Sequence, residues 1–257
     1  MHALRIAGAH GVETVVLRRY VVPEVVIDEP DIAEREARTL QLLERCEVTT
    51  PRVLALDATG LEAGAPALVM SRVAGRLEWS PVDLDGWLRK LALVLPAIHE
   101  APISSRDGVQ EFVPYPPVLL EPPSWMRDRR SWERALDVFH GPRLDPERVF
   151  VHRDYHPGNV LWRRGAVSDV VDRQAASIGP RTADVWHCRG NLMSRFGLEV
   201  ADRFLQIWQT VTGSDYNPWA EAVMLVDAIG WRSEQTSPRY QVDLQALLAR
   251  RLAELGA

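Results

Sequence analysis

The most constraining feature of the sequence is a polar turn between two short apolar segments. Val149–Val151 and Val160–Trp162 are apolar, and the turn between them contains a Pro-Gly pair. This pattern predicts a strand, a loop and a second strand. A third apolar segment, residues 167–171, predicts another short strand that ends just before Asp172. We therefore expect the polar residues of this region to gather at the ends of short buried strands.

Three of these polar residues have the chemistry that phosphoryl transfer needs. Asp154 and Asn159 are five positions apart, and Asp172 follows after a predicted hairpin. A carboxylate can orient an attacking hydroxyl group and accept its proton, while carboxylate and amide oxygens bind the Mg²⁺ that neutralises a triphosphate. Protein kinases use this spacing between a catalytic Asp and a metal-binding Asn. The sequence thus predicts Asp154 as the catalytic residue and Asn159 and Asp172 as metal ligands.

The segment His152–Trp162 closely resembles the catalytic loop of aminoglycoside phosphotransferases and their choline-kinase-like relatives, and Ile178–Pro180 and Asp184 continue the resemblance. It implies an α+β, two-lobed protein-kinase-like fold. Residues 1–73 would form a small β-rich N-lobe, and residues 74–257 a larger, mainly helical C-lobe. The implied activity is transfer of the γ-phosphate of ATP or GTP, with Mg²⁺, to a hydroxyl group of a small molecule such as an aminoglycoside. Asp184 would brace the catalytic loop through hydrogen bonds.

The resemblance also implies nucleotide-binding roles in the N-lobe. Arg18 ends the second strand of a hairpin predicted over residues 2–20, and it matches the basic residue that pairs with the nucleotide phosphates. Glu36 lies on an otherwise apolar face of a helix predicted to start at a capping carboxylate, Asp31. An unpaired charge there would be costly, so we expect an ion pair with Arg18. Met70 belongs to the segment on which adenine would rest, where backbone amides make the contacts.

Two residues near Asp172 depart from the family pattern. Asp169 stands where the family usually has glycine, and Arg173 where it usually has a bulky aromatic or apolar residue. The Arg173 guanidinium could pair with Asp172 and compete with the metal, pair with Asp169, or contact phosphate. The first arrangement, together with a first hairpin whose turn Gly8–Gly11 has no G-x-G-x-x-G pattern, leaves open a catalytically impaired, kinase-like protein that binds a nucleotide or a small molecule without turnover.

A metal-dependent hydrolase is a less favoured alternative. His152, Asp154 and His156 alternate along the chain and would share a face of an extended strand. A Pro-Gly pair directly after them interrupts such a strand, and the two cysteines, Cys46 and Cys188, offer no paired zinc motif.

Helical periodicity predicts the remainder of the C-lobe, with helices near residues 81–100, 124–139, 198–212, 217–234 and 240–255. Pro96 is expected to kink the first of these helices, and His99 at its end is expected to be structural. Residues 112–117 are rich in proline and aromatic side chains and could shape an acceptor pocket. Asp227, Trp231 and Glu234 share a helix face that would suit a cationic acceptor.

Composition limits the classes of partner. The net charge of −5 gives no basic footprint for nucleic acid. No apolar run approaches membrane-spanning length, and the N-terminal segment does not have the pattern of a signal peptide. We therefore expect a cytoplasmic protein whose partner is a small-molecule hydroxyl acceptor, with no nucleic acid or membrane partner. The sequence indicates no particular oligomeric state and selects neither ATP nor GTP.

Overall fold

The structure is a computed structural model that describes residues 1–8, 11–46, 48–144, 147–231 and 236–256. Its N-terminal part is an antiparallel four-stranded sheet in the order β1-β2-β4-β3, with two helices inserted between β2 and β3. The elements are β1 (His2–Gly8), β2 (Gly11–Arg19), α1 (Pro23–Asp28), α2 (Ile32–Leu43), β3 (Val53–Asp57) and β4 (Ala67–Ser71). The predicted hairpin and the two later strands are confirmed. The short helix α1 was not predicted.

Helix α2 covers one face of this sheet. Its residues Ala37 and Leu40 pack against Leu68 and Met70 of β4, and all four are buried. The Met70 side chain therefore lies in the core, and a role for its backbone in adenine recognition stays a prediction. The expected cap is wrong, because the Asp31 side chain makes no capping hydrogen bond; its carboxylate pairs instead with the guanidinium of Arg35, four residues later.

The C-terminal part is mainly helical and carries two small two-stranded sheets. Its helices are α3 (Leu84–His99), α4 (Arg129–His140), α5 (Thr182–Phe196), α6 (Leu198–Thr212), α7 (Pro218–Trp231) and α8 (Pro238–Glu254). Strand β5 (Val149–Val151) pairs with β8 (Ser177–Gly179), and β6 (Val160–Arg163) pairs with β7 (Ala166–Val170). Helix α3 is continuous through Pro96, and α4 starts five residues later than predicted. Strand β8 was not predicted.

A large apolar core joins these helices to the strands that carry the polar loop. In α3, Leu88, Leu91 and Leu95 are fully buried, and Asp83 caps the helix by accepting a hydrogen bond from the Gly86 N–H. The predicted boundary between the lobes, after residue 73, follows β4 directly and stays a prediction. In the part of the chain that the structure covers, no helix is long and apolar enough to cross a membrane.

A charged cluster is buried among the last four helices. Glu221 of α7 accepts hydrogen bonds from Arg189 of α5 and Arg251 of α8, and the Glu221 and Arg189 side chains are completely buried. Arg189 also donates to Asp202 of α6 at 2.6 Å. Both guanidinium groups lie over the Tyr216 ring, at 5.5 and 5.4 Å from its centroid. One carboxylate thus links three helices through charge-assisted hydrogen bonds.

Candidate active site

The loop between β5 and β6 is held in place by one buried carboxylate at the start of α5. Asp184 accepts hydrogen bonds from the backbone N–H groups of His152, at 2.9 Å, and Arg153, at 2.6 Å. His99 Nε2 lies 3.0 Å from the same carboxylate. Burial alone would raise the pKa of Asp184, but these contacts hold it below its usual value. The predicted bracing contacts of Asp184 and the structural placement of His99 are confirmed.

A histidine side chain packs closely against glycine where this loop turns toward β6. His156 Nδ1 accepts a hydrogen bond from the Gly158 N–H at 3.0 Å. A Cβ atom at Gly158 would lie 2.6 Å from His156 Cε1, which no side chain can tolerate without movement of the histidine. The loop is thus compact enough to place Asp154 and Asn159 next to each other.

Asp154 is contacted by three side chains. Asn159 Nδ2 donates to its carboxylate and to its backbone carbonyl oxygen, both at 3.0 Å. His156 Nε2 and His187 Nδ1 lie 3.7 and 3.6 Å from Oδ1. Burial favours the neutral acid, but the contact with His156 and the neighbouring histidines lower the pKa of Asp154 below its usual value. The carboxylate is therefore ionised near neutral pH. His187, on α5, escaped the sequence analysis because no local motif marks it.

The predicted ion pair between Arg18 and Glu36 is present, and it includes Asp172. Arg18 Nη1 donates to Glu36 at 3.1 Å and to Asp172 at 2.7 Å, while Nη2 donates to Gln174 at 2.8 Å. The hydroxyl group of Tyr20 donates to the other Glu36 oxygen. Burial opposes the charged guanidinium, but the two carboxylates hold the pKa of Arg18 above its usual value. Arg18 thus links the N-lobe directly to the proposed metal ligand.

Arg173 makes none of the expected contacts with the metal site. Its side chain is fully buried, and its guanidinium has no hydrogen-bond partner among the described residues. A pairing with Asp172, one of the three possibilities, is not observed, and Arg18 bonds that carboxylate instead. A phosphate contact is equally excluded by the burial of Arg173. A direct bond with Asp169 is also not observed. Burial raises the pKa of Asp169 to about 6, and the charge of Arg173 opposes that rise.

The geometry of His152 does not support the hydrolase alternative. His152 is fully buried, its Nε2 lies 2.9 Å from the Val171 carbonyl oxygen, and its Nδ1 accepts a hydrogen bond from the Asp154 N–H. Burial and the charge of Arg173 lower the pKa of His152 to about 4, so the ring is neutral. Both ring nitrogens are engaged by the backbone, and His152 therefore cannot join Asp154 and His156 in binding a zinc ion.

The donor set around Asp172 fits magnesium. Magnesium in nucleotide sites is bound by one or two protein oxygen ligands together with phosphates and water. The Asn159 side chain uses its nitrogen for both bonds to Asp154, so that its oxygen, the metal-binding atom, is not engaged in them. Asp172 supplies a carboxylate that is partly exposed. These two residues could hold the ion, and their roles stay predictions.

A cavity of about 720 Å³ lies beside the catalytic loop, between α1, the proline-rich segment and helices α5 and α7. Four carboxylate side chains line it, from Glu24, Asp28, Glu29 and Asp227. The described lining contains a single Arg or Lys side chain, that of Arg153. His187 also lines the cavity and contacts Asp154, so this acidic space leads to the proposed catalytic carboxylate.

Aromatic residues of the proline-rich segment form another wall of the cavity. The Arg153 guanidinium lies 4.4 Å from the centroid of the Tyr115 ring and 5.1 Å from that of Phe112, and it donates to the Val113 carbonyl oxygen. Burial raises the pKa of Asp227 to about 6, against the opposing charge of Arg153. Asp227, one of the three residues on the helix face predicted to meet a cationic acceptor, lines the cavity. The Trp231 side chain and Glu234 lie outside the described residues.

Comparison with known proteins identifies the family. The sequence model of the phosphotransferase enzyme family matches residues 5–222. The chain belongs to the phosphotransferase enzyme family. This membership confirms the resemblance drawn from the catalytic loop. Among curated proteins, none matches the sequence of this phosphotransferase-family member.

Solved structures of phosphotransferases share the fold of this family member. A thermostable variant of aminoglycoside phosphotransferase APH(4)-Ia, in complex with ADP and hygromycin B, aligns with a TM-score of 0.65 and 15% identity over 96% of this chain and 93% of its own. Macrolide 2'-phosphotransferase type I aligns with a TM-score of 0.58 and 20% identity over 96% and 86%. MphH, a macrolide 2'-phosphotransferase from Brachybacterium faecium, aligns with a TM-score of 0.56 and 15% identity over 96% of this chain and 88% of its own. The α+β, two-lobed, kinase-like fold is thereby confirmed.

Proposed function

We propose that this protein transfers the γ-phosphoryl group of ATP or GTP, bound with Mg²⁺, to a hydroxyl group of a cationic small molecule, for which an aminoglycoside is one candidate. The observation that carries the proposal is the position of Asp154. It contacts a proposed metal ligand, Asn159, and it also contacts His187 in the wall of an acidic cavity. Nucleotide and acceptor would therefore meet at this carboxylate.

On the acceptor side, Asp154 orients the hydroxyl group and receives its proton. As the bond between the hydroxyl oxygen and the γ-phosphorus forms, the bond from that phosphorus to the bridging oxygen breaks and the nucleoside diphosphate leaves. The lowered pKa of Asp154 keeps it ionised and able to accept the proton near neutral pH. The rest of the acceleration comes from positioning and electrostatic stabilisation, as phosphoryl transfer generally requires.

On the nucleotide side, Asn159 and Asp172 hold the metal, which supplies charge neutralisation to the phosphates when it is bound. Arg18 contacts the phosphates, and Glu36 orients it through the ion pair at 3.1 Å. Tyr20 fixes the second oxygen of Glu36 and so supports this arrangement. The backbone around Met70 receives the adenine.

The impaired, non-catalytic alternative had two grounds: a pairing of Arg173 with Asp172, and a first hairpin whose turn, Gly8–Gly11, lacks a glycine-rich phosphate-binding pattern. Ala9 and His10 of that turn lie outside the described residues. Arg18 makes the contact with Asp172 instead, and Arg173 is buried in the interior. Arg173 therefore does not compete with the metal for Asp172.

The charge of the cavity supports a cationic acceptor. Its lining carries four carboxylates and one guanidinium, and the Glu29 carboxylate also pairs with Arg35, so that the formal balance with Arg35 included is −2. Carboxylates form charge-assisted hydrogen bonds with ammonium groups, and aromatic faces such as that of Tyr115 attract cations. The protein with hygromycin B bound provides a relative of the same fold that accepts an aminoglycoside.

The proposal is tested by binding and then by turnover. Thermal unfolding is followed with ATP or GTP, with and without Mg²⁺, and phosphate transfer is then measured on aminoglycosides, macrolides, amino alcohols and neutral sugars. A nucleotide at a hundredfold excess over its dissociation constant should stabilise the protein by about 2.7 kcal/mol. Absence of any magnesium-dependent shift would overturn the nucleotide assignment. Transfer to neutral sugars alone would overturn the cationic acceptor.

Replacement of Asp227 by Asn should weaken binding of a cationic acceptor and change its pH dependence. A charge-assisted contact contributes roughly 1.5 kcal/mol, so KM should rise about tenfold at neutral pH. With a pKa of about 6, the Asp227 carboxylate becomes protonated as the pH falls below 6, and the unchanged protein should then lose affinity for the acceptor. In Asp227→Asn, the KM for the acceptor should not rise further as the pH falls below 6.

Glu121→Gln is the matched control, because it removes a carboxylate that is 83% exposed and that does not line the cavity. Its KM profile should follow that of the unchanged protein. Identical profiles for all three proteins would contradict a role of Asp227 in acceptor binding.

A further inference from the structure

Two residues beneath the proposed metal site carry buried polar atoms without partners. Arg173 is fully buried, and Asp169 is 3% exposed. The three guanidinium nitrogens of Arg173 and both carboxylate oxygens of Asp169 make no hydrogen bond with any described residue. Buried charged groups in proteins are nearly always compensated, so this concentration of unpartnered atoms requires an explanation.

Asp169 is the carboxylate best placed to compensate Arg173. The opposite charges that act on Arg173 come chiefly from Asp169, and then from Asp184 and Glu36. Asp184 is already committed to the bonds with His99 and the catalytic loop, and Glu36 to Arg18 and Tyr20. The Asp169 carboxylate makes no hydrogen bond with a described residue, and besides Arg173 only the neighbouring Val170 N–H lowers its pKa. Since the two groups do not touch directly, water between them is the arrangement that satisfies both.

We propose that Asp169 and Arg173 form a buried ion pair bridged by internal water, and that this pair positions Asp172 for metal binding. Arg173 is then a positioning residue for the metal ligand and not a competitor of the metal. The role in metal binding rests on the proposed function. The existence of the pair does not.

The backbone around Arg173 explains how its side chain acts on the neighbouring ligand. The Arg173 carbonyl oxygen accepts a hydrogen bond from the Ala176 N–H at 3.2 Å, which fixes the backbone directly after Asp172. Asp172 adopts a left-handed backbone conformation, with a φ of 68°, that non-glycine residues adopt rarely. A side chain anchored in the interior directly after this residue keeps it in that conformation and keeps its carboxylate beside Arg18.

The first test is a double-mutant cycle on stability. Asp169→Asn leaves Arg173 uncompensated, Arg173→Met leaves Asp169 uncompensated, and the double variant leaves no buried charge. In urea unfolding, each single variant should have a lower midpoint and a lower free energy of unfolding than the unchanged protein. The double variant should lose less free energy of unfolding than the sum of the two single losses. Additive losses would overturn the pair.

A high-resolution crystal structure should show water bonded to both side chains. Absence of that water would overturn the bridge.

The second test measures Mg²⁺ binding in the presence of a fluorescent ATP analogue. The apparent dissociation constant for Mg²⁺ should rise about tenfold or more in Asp169→Asn and return to within about threefold of its original value in the double variant. Arg173→Lys should keep part of the Mg²⁺ affinity that Arg173→Met loses, because it retains the charge. Affinity for the nucleotide in EDTA should hardly change in any of these variants.

Arg164→Met is the control, because it removes an exposed guanidinium from the hairpin between β6 and β7. Coupling in stability without any change in Mg²⁺ affinity would overturn the positioning role and leave the pair standing. Failure of the unchanged protein to bind the nucleotide with Mg²⁺ would overturn the proposed function and the positioning role together. The unfolding cycle would still decide whether the pair exists.

Discussion

Replacing Asp154 by Asn is expected to reduce phosphoryl transfer by about a thousandfold or more, since a positioned general base contributes roughly 10²–10⁴ in rate. The amide has nearly the same shape as the carboxylate but cannot accept the proton of the acceptor hydroxyl group. Affinity for the nucleotide with Mg²⁺ should stay close to its original value, because the proposed metal ligands are Asn159 and Asp172. The loss should therefore appear in kcat and not in nucleotide binding.

The measurement combines single-turnover transfer with thermal unfolding in the presence of the nucleotide. Asp137→Asn is the matched control, because it makes the same chemical change at an exposed position on α4. It should leave both rate and binding unchanged. If Asp154→Asn kept more than a tenth of the original rate, another group would have to serve as the base, and His187, at 3.6 Å from Asp154, would be examined next.

Replacing Glu221 by Gln is expected to lower the free energy of unfolding by about 3–5 kcal/mol, the usual cost of breaking a buried ion pair by removing one partner. The change preserves the size of the side chain, so that lost packing contributes little. It leaves Arg189 and Arg251 buried without the carboxylate that links them. Asp202 and Tyr216 still contact Arg189, but neither of them bonds both guanidinium groups.

Urea unfolding at neutral pH measures this loss directly. Glu254→Gln is the control, because Glu254 also pairs with Arg251 but is 43% exposed. Exposed pairs contribute at most about 1 kcal/mol, so this variant should unfold within that range of the unchanged protein. Equal losses in both variants would mean that the buried cluster contributes no more than a surface ion pair.

Local patterns in the sequence were sufficient for the catalytic region. Alternating apolar segments and a Pro-Gly turn place β5 and β6 around the loop, since strand and turn preferences act within a few residues. Helical periodicity placed Glu36 on a buried face, and the cost of burying a lone charge predicted its pairing with Arg18. The resemblance to the family predicted that Asp184 would brace the loop.

Contacts between distant parts of the chain were decided only by the tertiary structure. Arg18 and Asp172 are 154 residues apart, and no local preference reveals which of several carboxylates a guanidinium will meet. The same holds for Arg173, for which the sequence left Asp172, Asp169 and phosphate open as partners, and whose side chain is fully buried in the structure. The acidic cavity combines α1, the proline-rich segment, α5 and α7, and each contributes residues whose type is ordinary on a protein surface. The sequence therefore determined the chemistry of the loop, because that chemistry depends on residues close in the chain. The fold decided which charges surround it, because electrostatic partners are selected by distance in space.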